Sequence, residues 1–426
     1  MEINTQNLIK TLPRKFKTVA KGIELYENEK HFAPVRFTQD TIVNWVPKAV
    51  LARSLTDFSE VSFLEFSENI LVYFGGKFLN DKIFKKIFLK KLAPELAIKT
   101  ETSAVELLKD KNSEITKKVM PIKAALAVCG LIIPLAEYSL SYVKNIFTVK
   151  LFKQADFNNI ANLNKDKKED IAKQKKVKES AIKHIKIAGG IFAGCLGFAT
   201  LLATRGKNSK TLQSISEAIL TPGTKIFKPK LATEESIKIA AKKAANFNKY
   251  FGLDSSKLSR GQLTACVVAG FFGYTGAAKD RGKQNFLEVL FRYPIVGFYV
   301  ITGSDMFEKG FKNILRKNGN CKELLDVEKI KNEMPQIEEL HDLAKDLASK
   351  NKTSVKDEFT KLLKQKATII GVPLVFSLVV MGLFVAGMSR FFTQYRYNKE
   401  LASQKNNPFN NNNQRFEMSS FGQKKV

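Results

Sequence analysis

Between Lys366 and Arg390 the chain carries 23 uncharged residues in a row, "ATIIGVPLVFSLVVMGLFVAGMS". As an α-helix this stretch is about 34 Å long at 1.5 Å per residue, more than the roughly 30 Å hydrocarbon core of a bilayer. Pro373 falls near its start, where a helix best tolerates a residue without an N–H. A soluble core houses such a run with difficulty. The segment is therefore expected to be a transmembrane helix and the chain an integral membrane protein.

Two further apolar stretches resemble each other. "AGCLGFATLLATRGK" starts at Ala193 and "AGFFGYTGAAKDRGK" starts at Ala269, with every matched residue offset by 76. The uncharged runs around them, 187–204 and 261–278, hold 18 residues each. Each makes about 27 Å of helix, just enough to span. Gly190, Gly194 and Gly197 in the first, and Gly270, Gly273 and Gly276 in the second, recur at spacings of three or four. Glycine at that density weakens a water-exposed helix by up to about 1 kcal/mol per residue, so a packing role is expected, letting membrane helices approach closely. The Arg-Gly-Lys after each run supplies an interfacial cation and a helix stop. Neither copy has the Gly-x-x-x-x-Gly-Lys-Ser/Thr order of a phosphate loop.

The remaining apolar segments contain charge. Ala124 to Val143 is long enough to span but includes Pro134 and Glu137. A carboxylate inside a span is costly and often functional, although Glu137 sits toward one end, where it can reach headgroups. Tyr293 to Ser304 is only about 18 Å as helix. Extended back to Asn285 it takes in Glu288 and Arg292, spaced i,i+4 so that they can pair on one helix face. A re-entrant or interfacial path is expected there, with a complete span as the second reading.

A looser repeat links "SFLEFSENILVYFGGKFLNDKIFKKIFLKK" from Ser62 with "NFLEVLFRYPIVGFYVITGSDMFEKGFKNILRKN" from Asn285. Each is followed by a charged linker and then an apolar segment. The expected organisation is a basic N-terminal segment (1–39), a first half (40–155), a basic middle region (156–260), a second half (261–400) and an Asn-rich tail (401–426) with the composition of disorder. The fold class is all-α: a multi-pass helical membrane protein with two loosely repeated halves and large basic polar regions.

Lys and Arg number 70 against 41 Asp and Glu, a formal charge of +29. Such an excess calls for anionic partners, either lipid headgroups or an acidic protein. Lys dominates over Arg, and no zinc-finger, helix-turn-helix or RNP pattern occurs, so specific nucleic-acid recognition is not expected. Within the middle region, Ile237, Ala241, Ala244, Phe247 and Phe251 recur at helical spacing among lysines. They suggest a basic amphipathic helix that lies on a bilayer or docks on its own protein. The loops 144–186 and 205–260 hold 12 basic residues each, against 5 and 4 acidic ones. Positive-inside topology disfavours placing them on opposite sides. Segment 187–204 is therefore expected to enter and return, or never to cross, leaving Ser180 and Ser214 on the same side.

Cys129, Cys195, Cys266 and Cys321 show no metal-ligand spacing. His31, His184 and His341 are too scattered for a catalytic or metal pattern, and each is expected at a surface or boundary. No cofactor, metal site or enzyme activity is expected. The N-terminus lacks the apolar core of a cleaved secretory signal. The function expected first is a membrane-embedded structural or interaction protein. The alternative is a small-solute or lipid transporter built from two repeats, with Glu137, Glu288 and Arg292 as its intramembrane polar residues.

Overall fold

The structure, a computed structural model, describes residues 5–27, 32–75, 78–164, 169–229, 233–254, 260–331 and 334–405. Every regular element among them is helical, with no strand. The long helices that organise the chain are α1 (Leu55–Ile70), α2 (Glu114–Gly130), α3 (Ile132–Phe152), α4 (Ile171–Arg205), α5 (Glu234–Phe251), α6 (Arg260–Arg281), α7 (Lys283–Phe298), α8 (Ser304–Lys317), α9 (Val355–Phe376) and α10 (Val385–Lys405). The tail from 406 onward, with its expected disorder, lies outside the described residues.

Local chemistry sets where several of these helices begin. Side chains of Ser54, Ser113, Asp170, Thr233 and Ser354 each accept a hydrogen bond from a backbone N–H of the first turn that follows, satisfying a donor that the helix itself cannot. The α2–α3 pair is one long rod broken at Leu131. There the Leu131 N–H reaches back to the Val128 carbonyl at 3.1 Å, and Pro134 has no N–H to give to Gly130.

The helices run up and down beside one another. α4 returns antiparallel along α3 and α2: Val177 packs with Val149, Ala181 with Tyr142, and Ala199 and Leu202 join the core around α2. Lys207 just beyond its end pairs with Glu114 at 3.3 Å. α6 runs parallel to α3, with Asn145 donating to the Ala277 carbonyl at 3.0 Å. α7 turns back, and α10 lies along it, with the Phe291 and Phe392 rings 5.4 Å apart. The bundle thus has a Phe152 end, where Arg281, Lys283 and Glu400 lie, and a Glu114 end. Beyond the latter, residues 5–27, the end of α8, 322–331, 334–351 and the start of α9 close a separate helical core around Leu324, Leu325, Leu340, Phe359 and Leu362.

Among the described residues, four helical stretches are long and apolar enough to cross a membrane: Glu114–Phe152, Ile171–Asn208, Lys283–Lys317 and Val355–Ser403. The first has 72 % of its apolar window buried inside the chain, whereas the other three have only 17 %, 17 % and 22 %. Their apolar faces point outward.

Three expectations are corrected here. Segment 187–204 does not enter and return, because it belongs to the unbroken 35-residue α4. Ser180 and Ser214 consequently lie toward opposite ends of that helix. The helical backbone satisfies its own hydrogen bonds, which a re-entrant loop in lipid would have to find elsewhere. Residues 285–304 likewise form continuous helix through Pro294, relaxed by a wide i→i+5 turn at Tyr299–Gly303. Segment 261–278, expected as a span, is not among the four candidates. Its Gln, Gly, Thr and Tyr content lowers its hydropathy, and it packs against α3 and α7 on one face while Val268 and Phe272 stay exposed on the other.

The two glycine-rich segments also part ways. A Cβ on Gly273 would stand 2.4 Å from the Tyr138 carbonyl oxygen, and one on Gly270 or Gly276 would meet the hydroxyl of Tyr293 or Tyr142. A Cβ on Gly190, Gly194 or Gly197 would meet nothing within 4 Å, so the close packing expected of them does not occur among the described residues. The matched Arg-Gly-Lys glycines differ too. Gly282 takes φ +130° in the turn between α6 and α7, whereas Gly206 stays helical and lies against the Pro121 ring.

Gly273→Ala should therefore lower thermal stability in detergent, by about 1–3 kcal/mol, because a backbone carbonyl cannot rotate aside. Gly194→Ala should be neutral or stabilising by up to about 1 kcal/mol. Equal melting temperatures for the two variants would contradict this packing.

Candidate functional site

Asp57, Glu60, Glu65 and Glu68 recur on α1 at spacings of three, five and three residues, close to the helical period, so they share one face. That face points inward. Asp57, Glu60 and Glu65 are about as buried as the core leucines, at 5–6 % exposure, and Glu68 is half-buried. Ionised carboxylates withdrawn from water must be paired or protonated. The surrounding helices supply most of the partners.

Toward the Phe152 end, Arg53 grips Glu288 of α7 with both terminal nitrogens, at 2.9 and 3.1 Å, while its Nε contacts Asp57 at 3.2 Å. Its guanidinium also lies over the Phe157 ring. Burial works against the Arg53 charge, but Glu288 and Asp57 outweigh it and raise its pKa. Arg281 of α6, at 1 % side-chain exposure, holds Glu60 through a second fork, with Nη1 2.9 Å from Oε2. Thr148 of α3 donates to the same carboxylate, and Lys144 stands 3.7 Å from it. Burial pushes the Glu60 carboxyl up, yet Arg281, Lys144 and Thr148 hold it below the usual carboxylate value.

One turn further along α1 the balance is acidic. Lys48 pairs with Glu65, and the Tyr274 hydroxyl donates to Glu68 at 3.0 Å. Glu137 of α3 lies within hydrogen-bond reach of Glu68, and its Oε2 is buried with no partner. The two carboxyls thus stand side by side, with the Tyr274 hydroxyl on one of them.

The residues picked out from sequence are thus divided. Glu137 is buried at 3 % exposure and meets α1, a partner that the apolar segment around it gives no hint of. Glu288 and Arg292 do not pair with each other. Glu288 is taken by Arg53, whose planar fork offers two parallel hydrogen bonds that an i,i+4 neighbour rarely matches. Arg292 has no hydrogen bond or ion pair among the described residues. The surface or boundary placement expected of the histidines is corrected for His341, which is buried. His184 does lie at a half-buried boundary, stacked on Tyr142 at 4.4 Å between ring centroids while meeting the Tyr138 hydroxyl. His31 lies outside the described residues.

Sequence reading overlooked α1 itself. The spacing of its carboxylates was visible, but a charged helix face usually marks solvent. Arg53, Lys144 and Arg281 carried no signal, being single cations far apart in the chain. Comparison of the chain with protein-family models, characterised proteins and solved structures finds no match.

Removing one member of a buried ion pair strands the other. Arg281→Met should destabilise the protein by about 3–5 kcal/mol, and adding Glu60→Gln should recover part of that loss. Additive losses in the double variant would show that the two residues do not act as a pair. The depressed Glu60 pKa also has a sign. Its stabilisation is complete above the unfolded value of about 4.3 and is lost as pH falls through the lower folded value. The melting temperature should therefore fall more steeply below about pH 4.3 in the native protein than in Glu60→Gln.

Proposed function

We propose that the chain is an integral membrane protein with a structural or interaction role, held rigid by its buried ion pairs and facing anionic headgroups with its basic ends. The single observation that carries this reading is the outward apolar surface of three span-length helices. Ile187, Ile191 and Leu201 on α4, Phe298 on α7, Val375 near the end of α9, and Val379 and Phe384 just after it are all exposed. Such surface is stable against lipid and an aggregation liability in water.

The charge pattern agrees. On α4, Lys175, Lys176, Lys178, Lys183 and Lys186 are exposed immediately before the uncharged window, at the depth where lysines meet headgroups. α5 contributes in the same sense. It docks through Ala240 and Ala244 and leaves Ile237, Ile239 and Phe251 exposed at roughly half their surface or more, beside exposed Lys238, Lys242 and Lys249. Of the apolar face expected from sequence only Ala244 is buried, and the remainder suits a bilayer surface.

A duplication is supported by matching elements. Phe63-Leu64-Glu65 and Phe286-Leu287-Glu288 lie on helices that each end in a wide i→i+5 turn, at Leu71–Gly75 and Tyr299–Gly303. Both matched glutamates are buried and ion-paired, to Lys48 and Arg53. The transport alternative is favoured by one observation, the adjoining carboxyls of Glu68 and Glu137, the latter inside a span-length helix. For it to stand, Glu137→Gln would have to abolish pH-driven solute uptake in proteoliposomes while leaving the fold intact.

Carbonate extraction should leave the full-length protein in the membrane pellet. Single cysteines at Glu179 and Ser214, both exposed, should be labelled by an impermeant thiol reagent from opposite sides. Release by carbonate would refute insertion, and labelling from one side would refute a crossing by α4.

A further inference from the structure

The ion-pair cluster at the Phe152 end does not balance. Arg53, Lys144, Arg281 and Arg390 gather there around the carboxylates of Asp57, Glu60 and Glu288, and Arg292 stands near enough to act on Lys144 and Arg390. Five cations meet three anions, in a place where several of the charged groups are almost wholly out of water. The surplus is local. Arg53 and Arg281 consume Glu288, Glu60 and most of Asp57 through short forked contacts. Lys144 keeps only the 3.7 Å approach to Glu60, and Arg292 has no partner among the described residues.

Arg390 is the telling member. It is 8 % exposed, and its Nη2 donates to the Lys48 carbonyl at 3.1 Å and stands 3.7 Å from Asp57. Its Nε and Nη1 are buried with no hydrogen-bond partner. Those two nitrogens are donors only, and leaving a buried guanidinium half-satisfied is costly. Arg390 is also the first charged residue after the 23 uncharged residues that begin at Ala367, which puts it at headgroup depth if that window lies in lipid.

We infer that Arg390, Arg292 and Lys144 form a binding site for a phosphate-bearing anion between α10, α7 and α3. A phosphate group offers several acceptor oxygens to the planar donors of Arg390, and its charge offsets the two surplus cations. Half-exposed Arg292 provides the route of access. The same chemistry is available from a phospholipid headgroup or from free phosphate. The headgroup source rests on the membrane reading above, whereas the site itself does not.

The test uses the full-length protein in zwitterionic detergent, so that it succeeds or fails independently of membrane insertion. Thermal unfolding is followed during titration with inorganic phosphate, with chloride at matched ionic strength as control. A second arm adds phosphatidic acid, with phosphatidylcholine of the same acyl chains as control. A saturable rise in melting temperature in either arm is expected, and the arm that responds identifies the source. Arg292→Gln breaks no ion pair seen in the structure, and it should weaken the apparent affinity about tenfold or more. Arg390→Gln removes a buried contact to the Lys48 carbonyl on which folding depends, so Lys144→Gln serves as the second variant and should weaken binding in the same direction. Absence of a saturable shift in both arms would overturn the site, as would native affinity in both variants.

Discussion

Placing the carboxylate face of α1 against the interior of the bundle is the constraint from which most of the arrangement follows. Asp57, Glu60 and Glu65 cannot be buried as bare charges. Wherever α1 docks, cations from other helices must therefore reach it. Glu60 draws in Arg281 from α6 together with Lys144 and Thr148 from α3. Arg53, just ahead of α1, ties Asp57 to Glu288 of α7. Three helices far apart in sequence are thereby fixed in register along α1. Apolar packing alone, which is non-directional, would tolerate a slip of a turn.

The same device accounts for the close fit of α6. Once Arg281 is anchored on Glu60, α6 has to lie along α3 over the stretch where Gly270, Gly273 and Gly276 face Tyr293, Tyr138 and Tyr142. Glycine is needed there because a backbone carbonyl or a tyrosine hydroxyl occupies the position of a side chain. One of those tyrosines, Tyr138, brings its hydroxyl to the ring nitrogen of His184. Small residues on one helix and aromatic residues on the next are two halves of one packing solution.

Away from this centre the chain follows a different logic. The windows of α4, of α7 with α8, and of α9 with α10 bury little within the chain, while the polar remainder builds its own core at the Glu114 end. Charged, interlocked interior and bare apolar exterior together invert the usual arrangement of a water-soluble bundle. That inversion supports a bilayer as the solvent of the outer face.

Residue pattern by itself determined the helical class and the presence of span-length apolar stretches, because both depend on local composition and on the length of uncharged runs. Ala367 to Ser389 needed no partner to declare itself, and the capping residues Ser54, Ser113, Asp170 and Ser354 mark helix starts through contacts a few residues away. Tertiary structure alone decided which of two similar glycine-rich helices is packed and which is bare. Gly194 and Gly270 sit in nearly the same local sequence, and only α3 and α7 beside the second tell them apart. It also decided that Glu288 pairs with Arg53 rather than Arg292, and that the acidic face of α1 turns inward. Such choices depend on which distant cation arrives within about 3 Å, and no periodicity along the chain records that distance.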